Sequence, residues 1–536
     1  MKITFRNQLN TLKKYANLFD RGSNETRLTC LRNLASMPLT ATTALLPYFE
    51  TLLFISAYPC DSLQRSLAQK ELKRISVFLK QNKNTIPKGF QNSGLPFTPT
   101  ITRFSHEGVQ WLLSNPACIT SLDGFMEPTL QLNDVLKHTL PSLEKSETSV
   151  GLGNFELLDS LRVSKQNRLH FIINELSRLD DRPFIKDQLF DSLDLYVRVD
   201  PKMNLFSKAF NRLPQSTTFF QKELLKKFDV PDLLDSPLPS SVPYTDEEKA
   251  DVISVIKTAM AITARETDPT TFMDERSLRV FHLERGISIA IYGMIPSRQL
   301  PLESYIGYTA FKNGYPAAYG GAWVFGERSN FGINIFESFR NGESGYMMIQ
   351  LLRVYRQVFR INYFEVEPFQ FGLDNPDGIE SGAYWFYYRF GFRSLSTTLH
   401  HLAEEEQVKI RAKPGYRTSA RTLLRFTESS VALQLGPNIP PTVADITSNV
   451  TKMIQQRYHG DRLRAEEDCR LKFISKTKTT ITLNGAENQV LTEVSLWAEA
   501  MQQTDPEKLS ILSAMINAKP YDVFAYQELL IRFLKN

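Results

Sequence analysis

The sequence predicts an α+β protein in which a domain with a mixed β-sheet lies between two helical regions. An antiparallel meander is predicted around Asn313-Gly314, strand, helix and strand alternate from 334 to 367, and both flanks have helical periodicity. An Asn-Gly pair between two apolar runs favours a hairpin, because both residues accept a positive φ. The predicted division is an all-α N-terminal region over 1–235, an α/β domain over 244–400 and a mainly helical C-terminal region over 401–536.

The composition is that of a globular protein. Of the 536 residues, 42% are hydrophobic and 23% charged, and the net charge is +5, which predicts several domains of roughly 150 residues each. Since no concentrated basic stripe stands out, we do not expect nucleic acid as a partner. The four cysteines are scattered without metal-binding spacing, so we expect no metal cofactor and a reducing compartment.

The sequence gives no sign of a targeting or membrane segment. The first residues lack the apolar core of a signal peptide. The most apolar run, from Ala44 to Tyr58, contains Pro47 and Glu50 and is shorter than the roughly 20 residues that a spanning helix needs. We therefore expect a cytoplasmic protein without membrane insertion.

The N-terminal region shows its clearest helix between Leu63 and Leu79. Apolar residues recur there at helical spacing, and Asp61 or Ser62 is placed to cap the helix. We expect this region to act as a scaffold or to bind a protein partner.

The α/β domain begins after a linker rich in Pro and Ser at 235–243. Thr245 and Glu248 form a capping box at the start of its first helix. Short β-rich runs then predict a meander of five strands, over 278–282, 287–292, 303–312, 316–325 and 332–339.

The turn after this meander is the first candidate for a functional site. Gly342 and Gly345 let the backbone approach a ligand, and the helix that begins near Ser344 offers unpaired N–H groups at the positive end of its dipole. Such a turn suits a pyrophosphate. The alternative is a plain turn whose glycines serve close packing. The candidate cofactor-binding residues are Arg340, Asn341, Gly342, Glu343, Ser344 and Gly345.

The helix from Met347 to Phe359 has one apolar stripe and joins two strands, which predicts a parallel crossover. The second of these strands, 362–367, carries carboxylates toward its end, and Glu337 stands near the end of the preceding strand. Ligands of open α/β sheets gather at the carboxyl ends of strands, so Glu337 and Glu367 are candidates for a general base. The alternative for each is solvent exposure or an ion pair.

A helix rich in aromatic residues follows. Its predicted N-cap is Asp377, with Glu380 three residues on, and Gly391 suits the left-handed position after its end. Because aromatic residues surround this helix, we expect it to be buried. Tyr387 is a candidate proton donor, and the alternative is a hydroxyl that bonds to the backbone.

The end of this helix follows a known pattern. The motif A-x-x-x-Y-x-x-x-G-F is matched by Ala383, Tyr387, Gly391 and Phe392. On this motif, and on the order of strands and helices, residues 250–400 resemble the GCN5-related N-acetyltransferase (GNAT) superfamily. Its pyrophosphate loop has the form (Q/R)-x-x-G-x-(G/A). Arg340 and Gly345 match the first and last loop positions, whereas Glu343 stands at the middle glycine.

The resemblance implies an acyl-CoA N-acyltransferase fold and acyl transfer from acetyl-CoA or another acyl-CoA to an amine. The turn amides would bind the pyrophosphate, and N–H groups between the two parallel strands would hold the thioester carbonyl. Glu337 or Glu367 would deprotonate the amine, and Tyr387 would protonate the leaving thiolate. The sequence does not identify the acceptor, which is a small molecule or a protein.

Other functions remain open alongside the acyltransferase. A serine hydrolase would use Ser344 with Asp374 or Asp377 and then His400 or His401, but the G-x-S-x-G spacing is missing. An interaction or scaffold protein that keeps the fold without catalysis is favoured by the large flanks and the imperfect loop. Superfamily relatives that use aminoacyl-tRNA are a further alternative.

Overall fold

The computed structural model describes residues 4–83, 86–214, 217–477 and 485–535. They form a mixed α+β protein around a nine-stranded mixed sheet, which confirms the predicted class. In the part of the chain described, no helix combines the length and the hydropathy needed to cross a membrane.

Four helices open the chain and share a core with the central sheet. They are α1 (Phe5–Tyr15), α2 (Arg21–Ser36), α3 (Leu45–Ala57) and α4 (Ser62–Gln81). Helix α4 confirms the helix predicted from the Leu63–Leu79 spacing. Its N-cap is Asp61, whose carboxylate accepts a hydrogen bond from the Gln64 N–H at 2.7 Å. The apolar α3 is buried along most of its length because the other helices and the sheet cover it.

The rest of the N-terminal region contains a small antiparallel sheet, so the prediction of an all-α region is wrong here. Its strands are β1 (Thr100–Thr102), β2 (Cys118–Phe125) and β3 (Leu195–Pro201), in the order β1–β3–β2. The helices around it are α5 (His106–Ser114), α6 (Leu132–Leu136), α7 (Asn154–Ser160), α8 (Arg168–Ser177) and α9 (Pro183–Ser192). These strands pair over long sequence separations, so local propensity gives little sign of them.

Three helices lead into the central sheet: α10 (Val230–Asp235), α11 (Asp246–Ile262) and α12 (Asp268–Thr271). The capping box predicted for α11 is confirmed. The Thr245 hydroxyl accepts from the Glu248 N–H at 3.2 Å, and the Glu248 carboxylate accepts from the Thr245 N–H at 2.8 Å.

The central sheet begins with an antiparallel meander. Its strands are β4 (Arg279–His282), β5 (Ile287–Tyr292), β6 (Ser304–Lys312), β7 (Tyr315–Phe325), β8 (Arg328–Phe331) and β9 (Asn334–Ile335). The predicted β6–β7 hairpin is confirmed, since Asn313 and Gly314 have φ of 46° and 84°.

The last strand of the meander differs from the prediction. Of the strand expected over 332–339, only β9 forms; it pairs with β7 in the same register as β8, from which Gly332 and Ile333 separate it. The carbonyl of Gly332 accepts a hydrogen bond from the Tyr308 hydroxyl at 2.7 Å, outside the strand ladder. After Ile335 the chain leaves the sheet and forms a 3₁₀ turn, Glu337–Phe339.

A parallel unit completes the middle of the sheet. Helix α13 (Ser344–Phe359) starts at the predicted residue and leads to β10 (Tyr363–Val366), which pairs in parallel with β8. Two further helices, α14 (Pro376–Ser381) and α15 (Ala383–Arg389), follow, and the strands β11 (Arg393–Ser394) and β12 (Val431–Gln434) finish the sheet. The strand order is β4–β5–β6–β7–β8–β10–β12–β11, and β9 adds to β7.

The predicted aromatic helix is therefore two helices. The N-cap of the first is Asn375, whose side chain accepts from the Gly378 N–H at 3.3 Å, and not Asp377. Pro376 favours this start because its fixed φ suits the first helical position. Gly382, with φ of 65°, separates the helices, and Gly391 has the predicted positive φ, 97°.

The C-terminal region is helical apart from β12. Its helices are α16 (Thr397–Ala412), α17 (Ala420–Phe426), α18 (Val443–Tyr458), α19 (Arg462–Thr477), α20 (Gly485–Ala500), α21 (Pro506–Ala518) and α22 (Val523–Lys535). Because β12 pairs with both β10 and β11, the central sheet extends past the domain boundary predicted at residue 400. A four-residue strand inside a helical region is too short for its periodicity to be seen.

Lys519 joins the C-terminal helices to the sheet. It is 1% exposed, and its ammonium donates to the Glu303 carbonyl at 2.7 Å and to the Ser304 hydroxyl at 2.6 Å. Burial lowers the pKa of Lys519 to about 7, although the Glu303 carboxylate acts in the opposite direction.

We expect stability to rise with pH from about pH 7 to pH 10 because of Lys519, by up to about 1.4 kcal/mol per pH unit. A lysine whose pKa is lower in the folded protein binds its proton preferentially in the unfolded chain, so deprotonation favours folding. Urea unfolding of wild type and Lys519→Met measures this effect. The difference between their free energies of unfolding should change with pH across this range. Equal pH dependence in both proteins would contradict an ionisable buried Lys519.

Candidate functional site

A cavity of about 270 Å³ lies at the N-terminus of α13. It is lined by the turn 340–345 and Tyr346, and by Phe386 and Arg389 of α15 together with Phe390, the residue after that helix. Residues of the N-terminal region complete the lining. The structure thus brings all six predicted cofactor-binding residues to one cavity: Arg340, Asn341, Gly342, Glu343, Ser344 and Gly345.

The first turn of α13 offers free donors to this cavity. Among the described residues, no acceptor is found for the N–H groups of Ser344, Gly345 and Tyr346, and the helix has no side-chain cap. The first helical backbone bond is that of Met347 N to Glu343 O, at 2.9 Å. Free N–H groups at the positive end of a helix dipole favour an anionic ligand.

Three cations line the same cavity: Lys226, Arg340 and Arg389, all of them exposed. None forms an ion pair with an acidic residue in the described ranges, and the only hydrogen bond found there for their charged groups runs from Arg340 Nε to the Ile335 carbonyl, at 3.4 Å. Their charges are therefore available to a ligand.

Close packing explains both glycines of the turn. A Cβ on Gly345 would overlap the ring of Phe390, and a Cβ on Gly342 would overlap the ring of Tyr58. Phe390 in turn stacks on Phe228, with ring centroids 5.8 Å apart. The cavity therefore has an aromatic side next to its polar one.

Glu343 has its carboxylate in a buried cluster of donors. One oxygen accepts from Arg285, at 2.6 Å and 2.9 Å, and from the Leu225 N–H at 2.9 Å. The other accepts from Lys312 at 3.0 Å and from Gln221 at 2.9 Å. The Glu343 and Lys312 side chains are fully buried, so the negative charge of Glu343 is neutralised inside the protein.

The pKa values of this cluster follow from burial and charge together. Burial acts to raise the pKa of Glu343, but the charge of Lys312 and the donors of Arg285 and Leu225 outweigh it and hold that pKa below its usual value. Burial lowers the pKa of Lys312 to about 8, although Glu343 acts in the opposite direction. Each of the two charges thus favours the charged form of its partner.

The sheet opens beside Glu367. The parallel pairing of β8 and β10 ends at Asn330 and Glu365. Beyond this point β10 ends, whereas the segment after β8 continues to β9. Glu367 is exposed and accepts a hydrogen bond from the Asn330 side chain at 2.5 Å. A Cβ on Gly332 would approach the Gln370 side chain to 2.8 Å, so Gln370 lies at this opening.

Tyr387 is buried, with Phe371 and Phe392 packed edge-on against its ring. No described residue bonds to its hydroxyl, so the alternative of a bond to the backbone is not observed there. Burial raises the pKa of Tyr387, and the phenol stays protonated. The pKa of Tyr308 is raised first by burial and then by neighbouring tyrosines that include Tyr387. Tyr387 packs against Phe371, the residue after Gln370, and therefore lies near the opening of the sheet.

Glu337 does not stand at a strand end as predicted. It lies exposed at the start of the 3₁₀ turn, where its charge helps to raise the pKa of Glu50, after the larger effect of burial. Glu337 does not line the cavity. Glu367 does not line it either, but of the two carboxylates only Glu367 stands at the opening of the sheet.

The serine hydrolase alternative has no supporting geometry. The Ser344 hydroxyl donates to the Arg340 carbonyl at 3.1 Å. His400 and His401 both face Glu404, at 3.4 Å and 3.2 Å. In the described ranges no contact joins either histidine to Ser344.

Sequence reasoning missed the residues that complete the site. Lys226 and Phe228 come from the N-terminal region, and Arg285 and Lys312 neutralise Glu343. The only local signal is Lys312 itself, a cation at the end of an otherwise apolar strand.

Comparison with protein-family models, with curated proteins and with solved structures gives no match. Among the residues described, no group of three or more His, Cys, Asp or Glu side chains could hold a metal ion.

Proposed function

We propose that the α/β domain is a GNAT-type acyltransferase that moves an acyl group from a CoA-type thioester to an amine. The observation that carries the proposal is the cavity at the N-terminus of α13. It is lined by three N–H groups and three cations, for which the described residues supply neither a backbone acceptor nor an acidic partner. Pyrophosphate oxygens would accept hydrogen bonds from both sets of donors.

The opening between β8 and β10 would receive the thioester. The amine nitrogen attacks the carbonyl carbon, the C–S bond breaks, and the thiolate leaves. Glu367, exposed at this opening, would accept the proton of the amine, directly or through water. Tyr387, whose phenol stays protonated, would give its proton to the sulfur.

A second candidate is a protein that keeps this fold and binds a ligand or a protein partner without catalysis. It is supported by the role of Glu343. This residue stands where the superfamily loop has a glycine, and its carboxylate binds Gln221 and Leu225 of the N-terminal region. Binding of acetyl-CoA without turnover, with any amine offered, would favour this candidate.

The test of the donor site is a thermal unfolding titration of the full chain with acetyl-CoA. A ligand at 100 times its Kd stabilises the folded state by about 2.7 kcal/mol. S-acetylpantetheine, which lacks the phosphates, is the matched ligand control, and we expect it to leave Tm unchanged. No shift of Tm with acetyl-CoA at about 1 mM would contradict the proposal, since a weaker Kd than this lies outside the usual substrate range.

A further inference from the structure

Residues 217–229 lie between the small sheet and α10 and form neither helix nor strand. Hydrogen bonds to several other parts of the chain nevertheless fix this segment. The Gln221 N–H donates to the Pro59 carbonyl at 2.7 Å, and the Phe219 N–H donates to the Asn313 side chain at 2.9 Å. The Gln221 side chain and the Leu225 N–H both donate to the Glu343 carboxylate. The segment is thus held directly against the turn that lines the cavity.

This segment presents a cation and an aromatic ring to the cavity. Lys226 and Phe228 line it, whereas Lys222, four residues before Lys226, does not. The Phe228 ring packs edge-on against Tyr346 with centroids 5.3 Å apart and stacks on Phe390. Lys226 is exposed and has no partner among the described residues.

We propose that residues 217–229 form a wall of the donor site and that Lys226 and Phe228 determine its specificity. Lys226 binds a phosphate group of the donor, and Phe228 packs against the flat ring of a nucleotide. This inference rests on the proposed function, because it assigns the ligand of the same cavity. It makes the N-terminal region part of the binding site.

Glu343 is the positioning residue of this wall. It touches no ligand in this arrangement, because both of its oxygens are bonded to Arg285, Lys312, Gln221 and Leu225. The segment is therefore positioned by Glu343, the residue at which the loop differs from the superfamily pattern.

The test is calorimetric titration of the full chain with CoA, with ADP and with inorganic pyrophosphate. We expect Lys226→Ala to raise the Kd of all three ligands about tenfold, the cost of losing one charge-assisted contact. Lys222→Ala, the matched control on the same segment, should change none of them. Phe228→Leu should raise the Kd of CoA and of ADP but not that of pyrophosphate, which has no ring. The Tm of each ligand-free variant shows whether the fold is retained.

The outcomes separate the two proposals. If wild type binds none of the ligands, the proposed function and the wall fail together. If wild type binds CoA and Lys226→Ala binds it as tightly as Lys222→Ala, the donor site stands and the wall is wrong. If Lys226→Ala binds CoA more weakly than wild type and this difference in Kd disappears at high salt, a phosphate contact is supported, because salt screens exposed charges.

Discussion

Glu343→Gln is expected to lower the free energy of unfolding by about 3–5 kcal/mol, the usual cost of removing one partner of a buried ion pair. Glutamine has nearly the same size, so no cavity forms. The loss is electrostatic, because Lys312 is fully buried and would face Arg285 without the carboxylate between them. Urea unfolding of the full chain measures the effect.

Two further variants test the cause. Glu337→Gln, an exposed carboxylate six residues away, should change stability by no more than about 0.5 kcal/mol. Adding Lys312→Met to Glu343→Gln removes the unpaired ammonium and should restore part of the loss. A Glu343→Gln protein as stable as Glu337→Gln would show that the cluster contributes nothing to folding.

Tyr387→Phe is expected to lower kcat about 100-fold or more, the typical contribution of a general acid. The KM for acetyl-CoA should change little, because in the proposed mechanism the hydroxyl would act on the leaving sulfur only in the transition state. The fold should be retained, because no described residue bonds to this hydroxyl. Release of free CoA, measured with the best acceptor from a panel of amines, gives both constants.

Tyr388→Phe is the matched control, since this neighbouring tyrosine is half-buried and packs under the Arg393 guanidinium. It should keep the kcat of wild type. Full turnover in Tyr387→Phe would exclude Tyr387 as the proton donor, and the acid would then have to be sought elsewhere at the opening of the sheet.

The features that the sequence predicted correctly depend on neighbours within a few residues. Asn313-Gly314 forms the hairpin, Thr245 and Glu248 form the capping box, and α13 begins at Ser344. Each of these is set by local backbone preference or by a side chain that bonds to a residue three positions away. Residues that compete locally were harder to rank, and Asn375 rather than Asp377 caps α14 because Pro376 follows it.

The features that the sequence did not predict depend on pairs far apart in the chain. Strand β12 belongs to the sheet through β10, about 65 residues earlier, and a strand that short gains its stability from its neighbours and not from its own propensity. The strands of the N-terminal region were missed because they pair with partners far along the chain.

The sequence by itself determined the mixed class, the order of the main elements, the turn from Arg340 to Gly345 and the choice of Tyr387 as a candidate. Only the tertiary structure decided what Glu343 does. Read locally, it is a negative charge in a turn suited to phosphates; folded, it is bonded to Lys312, 31 residues away, and to Gln221, 122 residues away. The physical reason is that the environment of a charge depends on every group packed around it, and packing brings those groups from the whole chain.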